Sequence, residues 1–125
     1  MADYREISQT YAQGAIKVAV LLNSGAILAV LAQAQHLAPL LGGAAYFVSS
    51  VLWVCGATSG AAAWAIGFYS TRFVDRAERG DRSAMAISNR LMHKAALAVA
   101  ASLILFVAGS LWFAFNFLSV PATTL

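Results

Sequence analysis

Few side chains in this sequence could carry chemistry, and their spacing keeps them apart. Asn23 is a primary amide inside one long apolar run, Cys55 is the lone thiol inside another, and His36 and His93 are the two imidazoles. A nucleophile needs a base within hydrogen-bond reach, yet Ser24, which precedes Gly25, has no histidine close to it in the chain. Nothing has the ligand spacing of a zinc site, a phosphate-binding loop or a haem-ligand pair. A single cysteine cannot close an internal disulfide. The sequence therefore assigns no catalytic residue, no cofactor, no metal and no small-molecule substrate, and the chain is expected not to be an enzyme.

What Asn23 can do is hydrogen-bond. Left unpaired in an apolar medium, an amide costs about 2–7 kcal/mol, so it requires a partner. Ser102, Thr58 or the same residue in a second copy could supply one. The amide then serves either as glue between helices or as a selectivity or gating group.

The elements that must position this residue follow from composition. The chain is 61% hydrophobic and 10% charged, whereas soluble domains carry about 25% charged residues. No Asp, Glu, Lys or Arg occurs from Val18 to Thr71 or from Ala95 to Leu125. The basic residues fall in two short stretches, Arg5 and Lys17, then Arg72, Arg76, Arg79, Arg82, Arg90 and Lys94. Asp75, Glu78 and Asp81 alternate with those arginines, which suits an ion-paired helix surface and argues against a nucleic-acid partner. The expected fold is all-α, with three membrane-spanning helices in an antiparallel bundle and helical extensions on the cytoplasmic side; the partner is the lipid bilayer.

A helix crossing about 30 Å of hydrocarbon needs about 20 residues. Val18–Thr71 has room for two crossings and a connection, with the break expected at Pro39, Gly42 and Gly43. The predicted spans are about 18–35, 44–69 and 95–117 in a single membrane domain, with a helical hairpin over about 72–94. Three spans place every Lys and Arg on one side, which the positive-inside rule makes cytoplasmic. The amino terminus is then inside and the carboxyl terminus outside, in a bacterial inner membrane. A cleaved leader is the rival for the first span, with Ala32-Gln33-Ala34 as its processing site. Asp3, Glu6 and Asn23 within such a leader argue for a span instead. Tyr46 to Tyr69 covers about 34 Å of helix, and Lys94 to Trp112 and Lys17 to Gln35 about 27 Å each, so all three helices fit one slab. Lys17, Arg72, Arg76, Lys94 and Trp112 are expected at headgroup level.

At the hairpin, Asp75 and Arg79, and Glu78 and Arg82, stand one helical turn apart. Gly80 suits the left-handed position after a helix, and Asp81 or Ser83 can cap the next. The second helix is expected from about Leu41 to Arg79 and the third from about Arg82 to Leu118. Tyr4, Ile7, Tyr11, Ala15 and Val18 recur at helical spacing, forming a lead-in able to pack on the hairpin.

Lipid gives little hydrophobic drive for helix association, so small residues mark contacts. Ala45, Ser49, Gly56, Gly60, Ala63 and Gly67 form such a row on the second span. Ala19, Asn23, Ala26 and Gln33 form one on the first, and Ala98, Ser102, Gly109 and Asn116 one on the third. These rows serve either the bundle core or an interface between copies. The sequence lacks the polar motifs of the four-span small multidrug transporters and fluoride channels, the intramembrane histidine of succinate dehydrogenase anchors and the basic tail of class I holins. Leu21-Leu22-Asn23-Ser24-Gly25-Ala26 with Ala29 resembles a stretch of small bacterial membrane proteins over about one helix, which implies no activity. The function expected is a non-enzymatic membrane protein that self-associates through small-residue faces, as a channel or membrane-perturbing homo-oligomer. The alternative is an accessory subunit of a larger membrane complex.

Overall fold

The computed structural model describes residues 4–121, with side chains from residue 9 onward. Four helices and no strand occur among them: α1 (Tyr4–Ala32), α2 (Ala34–Leu41), α3 (Gly43–Glu78) and α4 (Arg82–Leu118). Three of these, Gln9–Ala32 within α1, α3 and α4, are long and apolar enough to cross a membrane. The fold is an all-α bundle of a small membrane protein. Within hydrocarbon every backbone N–H and C=O must be satisfied by the protein, in helices or in closed barrels, and long apolar runs without strand-like alternation suit the helix.

The chain turns between α3 and α4 by a tight helix C-cap. Gly80 takes φ +106°, a value that favours a residue without Cβ. The N–H of Asp81 donates to the Arg76 carbonyl at 3.2 Å and that of Gly80 to the Ala77 carbonyl at 3.1 Å, the paired closure of a Schellman motif. Asp81 then caps α4, its carboxylate accepting from the Ser83 N–H at 3.1 Å and the Ser83 hydroxyl at 2.6 Å. α3 and α4 have 36 and 37 residues, about 54 Å each, so they extend well beyond about 30 Å of hydrocarbon.

The other connection differs from the sequence expectation. α1 ends at Ala32, earlier than the expected 35, and Gln33 forms a turn with φ −106° and ψ 12°. Pro39 lies inside α2 and does not break the chain; the break comes at Gly42, with φ +74°. Proline is tolerated there because α2 is a short helix and the carbonyl it leaves without a donor belongs to Gln35, which is exposed. Leu41 is buried and α2 touches both α3 and α4, so burial of its apolar face outweighs the lost bond.

α3 and α4 form the largest contact, and α1 lies mainly on α3. Asn23 of α1 meets Gly56 of α3 and Ser102 of α4, and Val20 meets Gly60. α1 therefore runs antiparallel to α3 and parallel to α4. Following α1 and α4 back from the Asn23–Ser102 contact brings Lys17 level with Ala96, beside Lys94. Trp64 of α3 lines the same groove as Lys17, so Lys17, Trp64 and Lys94 mark one level. Arg72 stands about 12 Å of helix further out, and Arg76 further still. Their guanidinium groups sit over the Phe68 and Phe73 rings at 5.3 and 5.4 Å. The lead-in does not pack as expected: Tyr11, Ala15 and Val18 are exposed, while the side chains of Tyr4 and Ile7 lie outside the described residues. The hairpin closes on itself through Ser70, Ala84 and Ser88, all buried.

Candidate functional site

The buried polar groups of the bundle converge on Asn23, which is 0% exposed. Its Nδ2 donates to the Ala19 carbonyl at 2.9 Å, to the Ser102 hydroxyl at 3.1 Å and to the Ser102 carbonyl at 3.2 Å. Ser102 Oγ donates in turn to the Gly56 carbonyl at 2.7 Å. One amide and one hydroxyl thus tie all three spanning helices together. Because the Ala19 and Ser102 carbonyls can only accept, the amide N–H groups must face them, and Oδ1 must point the other way. It points at Gly56 and has no hydrogen-bond partner among the described residues.

Gly56 is the condition for this arrangement. A Cβ on residue 56 would collide with Asn23 Oδ1 and lie 2.6 Å from its Cγ, inside the volume of the amide. Gly60 does the same one turn away, where a Cβ would lie 2.8 Å from Val20 Cγ2 and 3.4 Å from Ser102 Oγ. Ala19 and Ala63 beside them are fully buried. Small residues let the backbones approach, and the approach lets a short amide reach two other helices.

Two further levels join α3 to α4. Trp53 is 3% exposed; its Nε1 donates a long hydrogen bond, 3.4 Å, to the Phe106 carbonyl, and its ring stands 5.8 Å from that of Phe113. Gly109 makes the room, since a Cβ there would lie 2.7 Å from Trp53 Nε1. Nearer the hairpin, Ser70 and Ser88 pair reciprocally, Oγ to Oγ at 2.8 Å, with each hydroxyl also reaching the other's carbonyl at 3.1 and 3.3 Å.

Of the residues singled out from sequence, Asn23, Gly56, Gly60 and Ser102 come together at one level and Gly109 lies at the next. Ala45 and Ser49 are buried at the α2 end, with Ser49 Oγ donating to the Ala45 carbonyl at 3.0 Å. Gly67 is half-buried, and a Cβ there meets nothing within 4 Å. Asn116 bonds within its own helix to the Trp112 carbonyl at 2.8 Å. Lys17, Arg72, Arg76, Lys94 and Trp112 are exposed. Thr58, named as a possible partner for Asn23, instead donates to Val54 of its own helix at 2.8 Å. The Tyr46 hydroxyl, expected to anchor at headgroup depth, is buried and has no hydrogen-bond partner among the described residues. Trp53 and Ser70 were missed, although both continue the row from Ala45 at helical spacing. Counting only small residues hid the first.

His36, in α2, and His93, beside Lys94 in α4, lie at different levels of the bundle, and Cys55 is exposed on α3. The groups at the node itself are neutral: an amide, a hydroxyl and main-chain carbonyls. Comparison with protein families, curated proteins and solved structures finds no match to this chain.

Proposed function

We propose that the protein is a non-enzymatic membrane protein that self-associates through the outward face of α1. The faces first suspected of this role are occupied within one chain: Gly56, Gly60 and Gly109 are each filled by a residue of another helix. Two glycines of α1 are not. A Cβ on Gly14 or Gly25 meets nothing within 4 Å, although glycine inside a helix costs about 1 kcal/mol relative to alanine. Gly14, Val18, Gly25, Ala29 and Ala32 are all exposed and lie on the side of α1 opposite Asn23. Their spacing approximates a heptad seam in which all but Val18 are small, the pattern that lets a second helix approach closely.

The observation that carries this reading is Gly25, exposed, followed one turn later by Ala29 and unexplained by any contact among the described residues. Asn23 and Ser102 are closed off at 0% exposure, so any solute path would run between copies. With the positive-inside rule, the hairpin end faces the cytoplasm of a bacterial inner membrane.

Light-scattering mass of the protein in mild detergent tests the reading. The parent is expected as a discrete homo-oligomer, and Gly25→Leu should reduce the mass toward the monomer without lowering Tm. A monomeric parent, or a Gly25→Leu variant of parental mass, sinks it. A monomeric parent that is degraded in cells would favour an accessory subunit of a larger complex.

A further inference from the structure

Where α1 and α3 separate, beyond the Val20–Gly60 contact, they leave an open groove of about 400 Å³ lined by Ile16, Lys17, Val20, Leu21, Ala61 and Trp64. We infer that this groove is a binding site for one anionic phospholipid, with an acyl chain along Val20, Leu21 and Ala61 and the phosphate at Lys17. Every lining residue but Lys17 is uncharged and the wall is almost wholly apolar, so Lys17 lines the groove with its aliphatic stem and its ammonium lies outside the apolar wall. Lys17 forms no ion pair among the described residues; α3 carries no acid before Asp75, about 16 Å of helix beyond Trp64.

The level of the site selects the ligand. Lys17, Trp64 and Lys94 share one plane across the bundle, and tryptophan and lysine favour the boundary between hydrocarbon and headgroups. A lysine there extends its aliphatic stem along apolar surface and delivers its ammonium to the polar layer. A phosphodiester in that layer is the anion within reach, and the chain it carries must run into the hydrocarbon, along the groove. A soluble anion would use Lys17 but not the apolar walls; a neutral lipid would use the walls but not Lys17. The site lies on the α3 side of α1, beside the face assigned to self-association, and does not depend on that assignment.

Native mass spectrometry of the full chain, exchanged from nanodiscs containing phosphatidylglycerol and phosphatidylcholine, tests the site. The parent should retain one lipid per chain with phosphatidylglycerol preferred. Lys17→Gln should reduce that preference about fivefold, the factor one lysine near an anionic surface contributes, while keeping retention of either lipid. Ala61→Leu, which fills the groove from an exposed position, should reduce retention of both lipids. Arg90→Gln, a charge removed from the hairpin, should change neither. Melting temperature in detergent verifies that each variant is folded; should Ala61→Leu fail to fold, Ala61→Val takes its place. Parental retention and preference in both groove variants, or an equal loss with Arg90→Gln, would overturn the assignment in favour of diffuse attraction to the basic end.

Discussion

Two serine contacts join α3 to α4, and they solve different problems. At the Gly56 level Ser102 serves three helices, giving its proton to the Gly56 carbonyl and accepting from Asn23. At the hairpin level Ser70 and Ser88 serve only each other. The first lies between spans charge-free on all sides; the second lies past Lys17 and Lys94, among residues flanked by arginines. In hydrocarbon a polar group that loses its partner finds no substitute, while near the surface water replaces it. The same side chain is therefore worth more at the first level than at the second, and geometry that admits it is worth more still.

The largest effect is expected for Gly56→Leu. Its side chain would occupy the space of the Asn23 amide, pushing α1 off α3 and breaking the bonds to Ser102 at once. Overpacking costs about 1–3 kcal/mol, and the stranded amide adds to it. Thermal or denaturant unfolding in detergent should show a loss toward or beyond the top of that range. Gly67→Leu, where a Cβ meets open space, should cost far less. Equal melting temperatures for the two variants would mean that Gly56 is no closer to α1 than Gly67 is.

Ser102→Ala comes next and sets the comparison directly against Ser70→Ala. Removing Ser102 Oγ takes the donor from the Gly56 carbonyl and one acceptor from Asn23. Such bonds in membrane bundles average about 0.6 kcal/mol and reach about 1.7, and a shared one belongs near the upper value. Ser70→Ala should cost about 0.5 kcal/mol, at the low end for a single hydrogen bond, because the Ser88 hydroxyl keeps the Ser70 carbonyl, 3.3 Å away, as its acceptor at a level where local opening admits water. A Ser70→Ala loss equal to or larger than that of Ser102→Ala would break the argument from solvent.

The same contrast explains what could be read from the sequence. The three long helices, the Gly80 turn and the Asp81 cap were legible, because charge-free length, a left-handed glycine and a capping residue each act locally. Gly56, Gly60 and Asn23 stood out because a glycine or an amide in a membrane helix is costly without a reason. Their mutual contact was not legible, since the register between helices is set by packing of all three. Pro39 misled because local chemistry says stop, while burial of Leu41 against the bundle says continue. Trp53 escaped because tryptophan in a membrane sequence suggests an interface; only Gly109, across in α4, makes room for it inside. Gly25 was legible as a residue but not as a surface, which depended on knowing that Asn23 faces the other way.

The smallest effect concerns acid, and it separates the two levels without a mutation in either. The Asp81 carboxyl is held below its ordinary value of 3.8, first by the hydrogen bond from the Ser83 hydroxyl, then by the Ser83 and Ala84 backbone N–H groups and the Arg76 charge, with desolvation opposing. A carboxyl whose folded value is depressed contributes stability that is present above the unfolded value and lost as pH falls through the folded one. The cap should therefore be indifferent to pH from 8 down to about 5 and weaken only below about 4. Hydrogen exchange at Ser83 and Ala84, corrected for the intrinsic pH dependence of exchange, should lose protection in that acid range. Protection of the amides around Asn23 should not change, because the node contains no titrating group. Ser83→Ala should move the Asp81 titration, followed by carboxyl carbon resonance, upward toward the ordinary value. An Asp81 midpoint unmoved by that substitution would show that the hydroxyl is not the principal cause. Acid loss of protection around Asn23 before the cap opens would show that the node leans on the hairpin, and the two levels could no longer be treated as independent.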